Sequence, residues 1–157
     1  MRVLVTGATG FIGRHLLPRL ATAHEVIGLV RRTPAVPVAS VTYIEQELTM
    51  PLDRARLPAA VDAIIHQAAL IDVARGENET APFLANVVAT CNLLRYAAAA
   101  GVSCFVHAST GGVYGCGARP FVESDPFNPL DLYSLTKSQA EFAVRHAAPA
   151  LLEHDLP

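Results

Sequence analysis

The segment Val3-Leu4-Val5-Thr6-Gly7-Ala8-Thr9-Gly10-Phe11-Ile12-Gly13 restricts the possible folds more than any other stretch of the chain. A β-branched apolar run favours an extended strand. It meets three glycines at a spacing of three, and an apolar pattern of helical period follows. The segment therefore predicts a strand, a tight turn and a helix N-terminus. Glycine is needed in such a turn because a side chain would hold the backbone away from a ligand's phosphates. The free N–H groups and the dipole of the helix start then favour an anion. The spacing, G-x-x-G-x-x-G, is wider than the G-x-G-x-x-G dinucleotide fingerprint. The flanking strand and helix supply the context that a glycine triplet lacks on its own; a plain glycine-rich loop is the alternative.

Further strands are predicted at Glu25 to Val30, Val41 to Ile44, Val61 to His66 and Val102 to Ala108. A helix is predicted over Phe11 to Ala23, with Ile12, Leu16 and Leu20 on its apolar stripe and Pro18 as a kink. Pro51 to Leu57 reads as a short helix. A long helix is expected over Asn78 to Ala100, with Phe83, Val87, Leu94 and Ala98 on one face and Gly101 as its stop. The last helix runs from Asp131 to Ala148, ahead of Pro149. Strand and helix alternate, which predicts an α/β fold with a doubly wound parallel sheet in the order 3-2-1-4-5. The strands read as apolar runs buried on both faces. Ligands of such sheets bind beyond the carboxyl ends of the strands, where each polar or glycine-rich motif falls. Val102 to Ala108 would be an open edge without protective charge or proline. That predicts self-association, or a partner covering the edge.

The chain has 157 residues, which fits one domain, and a formal charge of −2, which gives no reason to expect nucleic acid or an acidic membrane surface. No apolar stretch is long enough to span a bilayer, and strand-like residues from Arg2 leave no room for a signal peptide. Cys91, Cys104 and Cys116 form no metal spacing, and read as reduced, mostly buried thiols of a cytoplasmic protein. His66 ends a buried strand and reads as a satisfied core histidine, whereas His15 and His24 read as surface residues.

Tyr133 and Lys137 stand four apart on a predicted helix and share a face. A free tyrosine is a poor base at neutral pH. A neighbouring ammonium would favour the phenolate and lower its pKa, allowing proton exchange with a substrate oxygen. Thr110 or Ser109 could hold that oxygen. Tyr-x-x-x-Lys alone is common, and a solvated helix face is the plain alternative.

Together these motifs resemble the extended short-chain dehydrogenase/reductase family, which contains nucleotide-sugar epimerases and dehydratases. The resemblance rests on Thr6 to Gly13, Ile65-His66-Gln67-Ala68-Ala69, Asn86, Ser109-Thr110-Gly111-Gly112-Val113-Tyr114-Gly115, and Pro129 to Lys137. It implies a Rossmann-like fold and an NAD(P)-dependent oxidoreductase or epimerase acting on a carbonyl or alcohol of a small molecule such as a nucleotide sugar. It implies that Gly7, Gly10 and Gly13, with Thr9, Phe11 and Ile12, form the pyrophosphate turn. Glu47-Leu48 falls where the family has an Asp-Leu pair beside the adenine, so Glu47 is a departure. Ala68 and Ala69 would line the way to the nicotinamide, with Ser109 beside the catalytic Thr110. Tyr133 would be the acid/base, and Lys137 would hold the nicotinamide ribose. Asn86 would support the site; a backbone hydrogen bond within its helix is the alternative.

The residues after the second strand, Val30-Arg31-Arg32, include no acid to bond a ribose 2′-OH, and their guanidinium groups suit a 2′-phosphate. The expected cofactor is therefore NADP, with NAD as the alternative. No metal is expected. Related dehydratases carry an Asp-Glu pair where this chain has Gly111-Gly112, which favours epimerisation or carbonyl/alcohol oxidoreduction over 4,6-dehydration. Family members are usually longer. Residues 1–157 are thus expected to form the dinucleotide-binding domain without a C-terminal substrate domain, the sheet being truncated after five strands and the helix carrying Tyr133 and Lys137. A binding module without turnover is the competing reading.

Overall fold

The computed structural model describes residues 1–71 and 78–152. Its sheet contains β1 (Arg2–Thr6), β2 (Glu25–Val30), β3 (Val41–Glu45), β4 (Ala63–His66) and β5 (Cys104–His107). The order is β3-β2-β1-β4-β5, and each neighbouring pair is parallel. The Rossmann-like α/β fold and the predicted strand order are therefore both observed.

The alternation of side chains along β1 divides the core in two. Leu4 packs with Leu29, Ile64, Leu93, Tyr96 and Ala97 on one face of the sheet. Val3 and Val5 pack with Leu17, Val26 and Val30 on the other. Full burial of each of these Val, Leu and Ile side chains stabilises the fold by about 1.5–3 kcal/mol. The helix α1 (Phe11–Leu20) supplies Leu17 to the second cluster, and α2 (Ala89–Ala99) supplies Leu93 and Tyr96 to the first. A third helix, α3 (Leu132–Leu152), packs against α2. The Asp131 carboxylate caps α3 by accepting the Ser134 N–H at 2.7 Å and the Ser134 hydroxyl at 2.9 Å.

Several local expectations need correction. The buried face of α1 is Gly13 and Leu17, and Ile12 is 58% exposed, because the first turn looks into a cavity rather than onto the sheet. The helix ends at Leu20, and the chain continues as a turn through Ala23. Residues 51–57 form turns, not a helix, although Leu57 still reaches the core. The long helix begins as a π-helical segment, Phe83–Val88, before α2. Of the expected stripe Leu94 is buried, whereas Phe83, Val87 and Ala98 are half-buried; the wider π turn brings Asn86 and Thr90 inward, in line with Leu93 and Ala97. Gly101 ends this element at φ +65°, as expected. Helix α3 continues past Pro149 to Leu152. The edge strands β3 and β5 are only half-buried, since each lacks a neighbour on one side among the described residues. All three cysteines are exposed: Cys104 lies on edge strand β5, Cys91 on the outer side of α2, and Cys116 in a loop. His15 is exposed and His24 half-buried.

Candidate cofactor and active site

The three glycines of the first turn have different duties. Gly7 has φ +68°, and a Cβ on it would stand 2.7 Å from the Ala68 amide nitrogen. A Cβ on Gly13 would run into the carbonyls of Gly7 and Ala8, so this residue lets α1 pack tightly on the turn. Gly10 is more open, its Cβ meeting only the Gly7 carbonyl at 3.1 Å. The N-cap of α1 is Gly10, and neither a capping side chain nor an acidic residue occupies the first turn. Its N–H groups thus stay free for an anion.

That turn opens into a cavity of ≈ 610 Å³ at the carboxyl ends of the strands, a volume in the range of small-molecule sites. Gly7, Thr9, Gly10, Phe11, Ile12 and Gly13 line one side, and Arg31, Glu47 and Leu48 another. Ala68, Ala69, Ser109 and Tyr133 complete it. Arg32, Asn86, Thr110 and Lys137 lie outside this lining.

At the β2–β3 end, Arg31 is the guanidinium that reaches the cavity. Glu47 Oε1 accepts from the Thr49 N–H at 3.0 Å and the Thr49 hydroxyl at 2.9 Å. The Thr49 amide bond holds the Glu47 carboxyl below its usual pKa, and nearby Arg31 adds to the effect. Asn92 anchors the same loop by donating to the carbonyls of Leu48 (2.9 Å) and Met50 (3.0 Å).

At the other end, β5 leads into Ser109 and Thr110. Thr110 Oγ1 accepts the Gly112 N–H at 3.2 Å and caps the short 3₁₀ turn Gly111–Tyr114. The Thr110 hydroxyl proton remains available to another acceptor. Ser109 instead donates to Glu141, whose other carboxylate oxygen accepts from Arg145 at 3.2 Å. Tyr133 is half-buried on α3, and Lys137, one turn further on, is 1% exposed. Burial lowers the Lys137 pKa to about 8, against an opposing influence from Glu141. The expected lowering of the Tyr133 pKa is not found: burial first, and then the Asp131 carboxylate, raise it. Burial penalises the charged phenolate, the Asp131 carboxylate adds to that penalty, and Lys137 is not among the groups that act on the phenol.

Asn86 is 1% exposed, and its amide is committed to protein groups. It accepts the Leu70 N–H at 2.7 Å and donates to the Leu70 carbonyl and to Thr136 Oγ1, each at 2.9 Å. Those bonds tie the loop after β4 to α3. His66 is buried with both ring nitrogens hydrogen-bonded, as expected of a core histidine.

The cavity also includes residues that pattern reading did not select. Gln67 lines it with a buried Oε1 that has no partner among the described residues, and Gln46, Thr49, Leu70, Leu84 and Ala85 contribute as well. Only the position of Gln67, next to Ala68 at the end of β4, offered a signal in the sequence. The others are brought in by loop paths and by the π turn.

A parallel sheet in this order, a glycine turn feeding a helix N-terminus, and a cavity at the strand ends define a Rossmann-like nucleotide-binding protein. The profile of the NAD dependent epimerase/dehydratase family matches residues 3–151, and the chain belongs to that family. It is 35% identical over 158 residues to an uncharacterized UDP-glucose epimerase of Bacillus subtilis, covering 90% of this chain and 50% of that protein. It is 37% identical over 161 residues to the dTDP-6-deoxy-L-talose 4-dehydrogenase (NAD(P)(+)) of Kitasatospora kifunensis, covering 95% of this chain and 48% of that one. Among solved structures it resembles the UDP-glucuronic acid 4-epimerase of Bacillus cereus in complex with NAD. The TM-score is 0.81 at 27% identity, over 95% of this chain and 53% of that one. The chain thus spans about half the length of the relatives it matches.

Proposed function

We propose that residues 1–157 form the dinucleotide-binding domain of an NAD(P)-dependent epimerase or oxidoreductase acting on a carbonyl or alcohol of a nucleotide sugar. One observation carries this reading: a single cavity joins the Gly7–Gly13 turn to Tyr133. The turn fits a pyrophosphate, because the open side of Gly10 and the uncapped start of α1 leave room and N–H donors for one. A nicotinamide cofactor supplies reversible hydride exchange with the sugar carbon. Tyr133 exchanges the proton of the sugar oxygen through its phenol, and Thr110 donates its free hydroxyl proton to the same oxygen. Lys137, its ammonium buried one helical turn further on, would hold the ribose and stabilise the phenolate. Asn86 and Ser109 hold the surrounding loops.

The finer reading favours NADP over NAD. Arg31 lies in the cavity wall after β2, where an acid would bond a ribose 2′-OH. The related talose dehydrogenase is named for use of either cofactor. Arg32 would reinforce the positive charge. Glu47 and Leu48 border the adenine end. Epimerisation or simple oxidoreduction is favoured over dehydration, since Gly111 and Gly112 carry no acid or base. A Cβ on Gly112 would also collide with the Ser134 hydroxyl.

No described helix is long and apolar enough to cross a membrane. We place the protein in the cytoplasm, binding a small molecule rather than nucleic acid. The open edge of β5, with Val106 49% exposed, is covered by self-association or by a partner.

A binding module without turnover remains the second reading, favoured by the raised Tyr133 pKa. Assay of UDP-sugars for 4-epimerisation and oxidation, beside titration with NADPH and NADH, separates the two. Cofactor binding with no turnover would support the module, and no binding of either cofactor would refute both.

A further inference from the structure

Thr6, His66, Asn86, Thr90 and Thr136 are each at most 1% exposed, and none lines the cavity. Their donors and acceptors fit together in one direction only. Thr6 Oγ1 accepts the N–H groups of Gln67 (3.2 Å) and Ala68 (3.1 Å). Both of its lone pairs are then used, so its proton goes to His66 Nδ1 at 2.6 Å. The imidazole proton must therefore sit on Nε2, which donates to Thr90 Oγ1 at 2.9 Å. Thr90 passes its own proton to the Asn86 main-chain carbonyl at 2.6 Å. The Asn86 side-chain amide donates to Thr136 Oγ1 at 2.9 Å, and Thr136 donates to the Tyr133 main-chain carbonyl at 2.8 Å, so the link through Asn86 is covalent. A proton on Nδ1 instead would face the Thr6 hydroxyl proton and leave Nε2 to compete with the Asn86 carbonyl for that of Thr90.

We infer that this one-way chain, with neutral His66 as its central link, is a positioning device that sets the Gln67–Ala68 wall of the cavity relative to the α3 turn carrying Tyr133. One end grips the two amides beside Ala68, which in turn meets Gly7. The other end grips the backbone of Tyr133 itself. Register makes the central link possible: Thr6 and His66 are direct partners across β1 and β4. The His66 ring is faced by His107 of β5, at 5.3 Å between ring centroids, and by Lys137 of α3. Burial and those two groups hold its pKa down to about 3, so the chain is not broken by protonation near neutral pH. What is positioned rests on the cofactor reading above, while the chain of bonds does not.

The test uses Thr90→Val, which removes the hydroxyl and keeps the shape, with Thr90→Ser as its rescue. Nitrogen-15 NMR of the wild type should show His66 as the Nε2–H tautomer, neutral down to pH 4. In Thr90→Val, exchange of the Gln67 and Ala68 amides should speed up by about 2- to 30-fold, the span expected of coupling through such a network, and the Kd for NADPH should rise within the same range. The amides of β1 and β2 should be unaffected, and Thr90→Ser should restore all three readouts. Should Thr90→Val fail to fold, Thr136→Val cuts the chain at its far end, and the Gln67 and Ala68 amides should still respond. An Nδ1–H tautomer, a uniform rise in exchange across the sheet, or an unaltered Gln67–Ala68 pair would overturn the inference. Absence of NADPH and NADH binding by the wild type, with the NMR and exchange results as expected, overturns the cofactor reading and upholds the network.

Discussion

Gly7 and Ala68 meet backbone to backbone in the cavity wall, with no room for a Cβ between them and with Gly7 held at φ +68°. Gly7→Ala should therefore lose about 1–3 kcal/mol from backbone strain alone, and more from the collision. Gly10→Ala meets only one carbonyl oxygen, at 3.1 Å, and should change stability little while weakening dinucleotide binding. Thermal melts and cofactor titrations of the two variants check the contrast. A Gly10→Ala variant that binds cofactor like the wild type would remove the argument for a pyrophosphate at this turn.

Arg31 lines the cavity and Arg32 does not, so the two arginines should contribute unequally. Arg31→Ala should weaken NADPH binding by roughly tenfold or more, the scale of a hydrogen bond to a charged group, and leave NADH nearly untouched. Arg32→Ala should have the smaller effect. Dissociation constants for both cofactors decide this, and tighter binding of NADH by the wild type would contradict it.

Tyr133 reaches the cavity, and its phenol, whose pKa burial and Asp131 raise, serves as the proton exchanger in this reading. In an assay with a turned-over nucleotide sugar, Tyr133→Phe should reduce kcat by about 10²–10⁴-fold while cofactor affinity is largely kept. Lys137→Ala should harm both, since the buried ammonium faces the ribose in this reading. Normal turnover by Tyr133→Phe would show that the proton moves elsewhere.

His66 and His107 are both held neutral, with pKa values lowered from 6.5 to about 3 and about 4, in each case chiefly by burial. The unfolded chain binds more protons than the folded one from pH 6.5 down to about 4, so stability rises with pH across that window and is lost as pH falls. Two such groups give a slope of at most about 2.7 kcal/mol per pH unit, approached only near pH 5. Both ring nitrogens of His107 lack a partner among the described residues, so His107→Phe breaks no hydrogen bond. Urea melts at several pH values should show that this variant lowers the slope. An unchanged slope would mean that His107 is charged in the fold.

Val106 on the β5 edge and Phe142 on α3 are 49% and 56% exposed. At micromolar concentration this chain should self-associate unless another protein covers that edge. Light scattering across a dilution series measures it. A monodisperse monomer that melts cooperatively at high concentration would show that the edge needs no cover.

The sequence by itself determined the parallel order of five strands, the glycine turn and the neighbourhood of Tyr133. Strand periodicity, glycine spacing and the Tyr-to-Lys interval are all local signals, and β1 to β5 form near the predicted segments. The π turn over Phe83–Val88 was not legible, because one widened turn rotates a helix face without changing composition. It places Asn86 against Leu70 and Thr136 rather than along the stripe that the helical period predicts. Exposure of the cysteines was not legible either, because it depends on which way each side chain faces: Cys104 on the edge strand β5, Cys91 on the outer side of α2 and Cys116 in a loop. Gln67, Leu84 and Ala85 join the cavity only because separate elements converge there. The one-way bonding of Thr6, His66, Thr90, Asn86 and Thr136 belongs to the tertiary structure in the same sense. Its direction follows from counting protons among side chains up to 130 residues apart, between Thr6 and Thr136, and no local pattern in the chain contains that count.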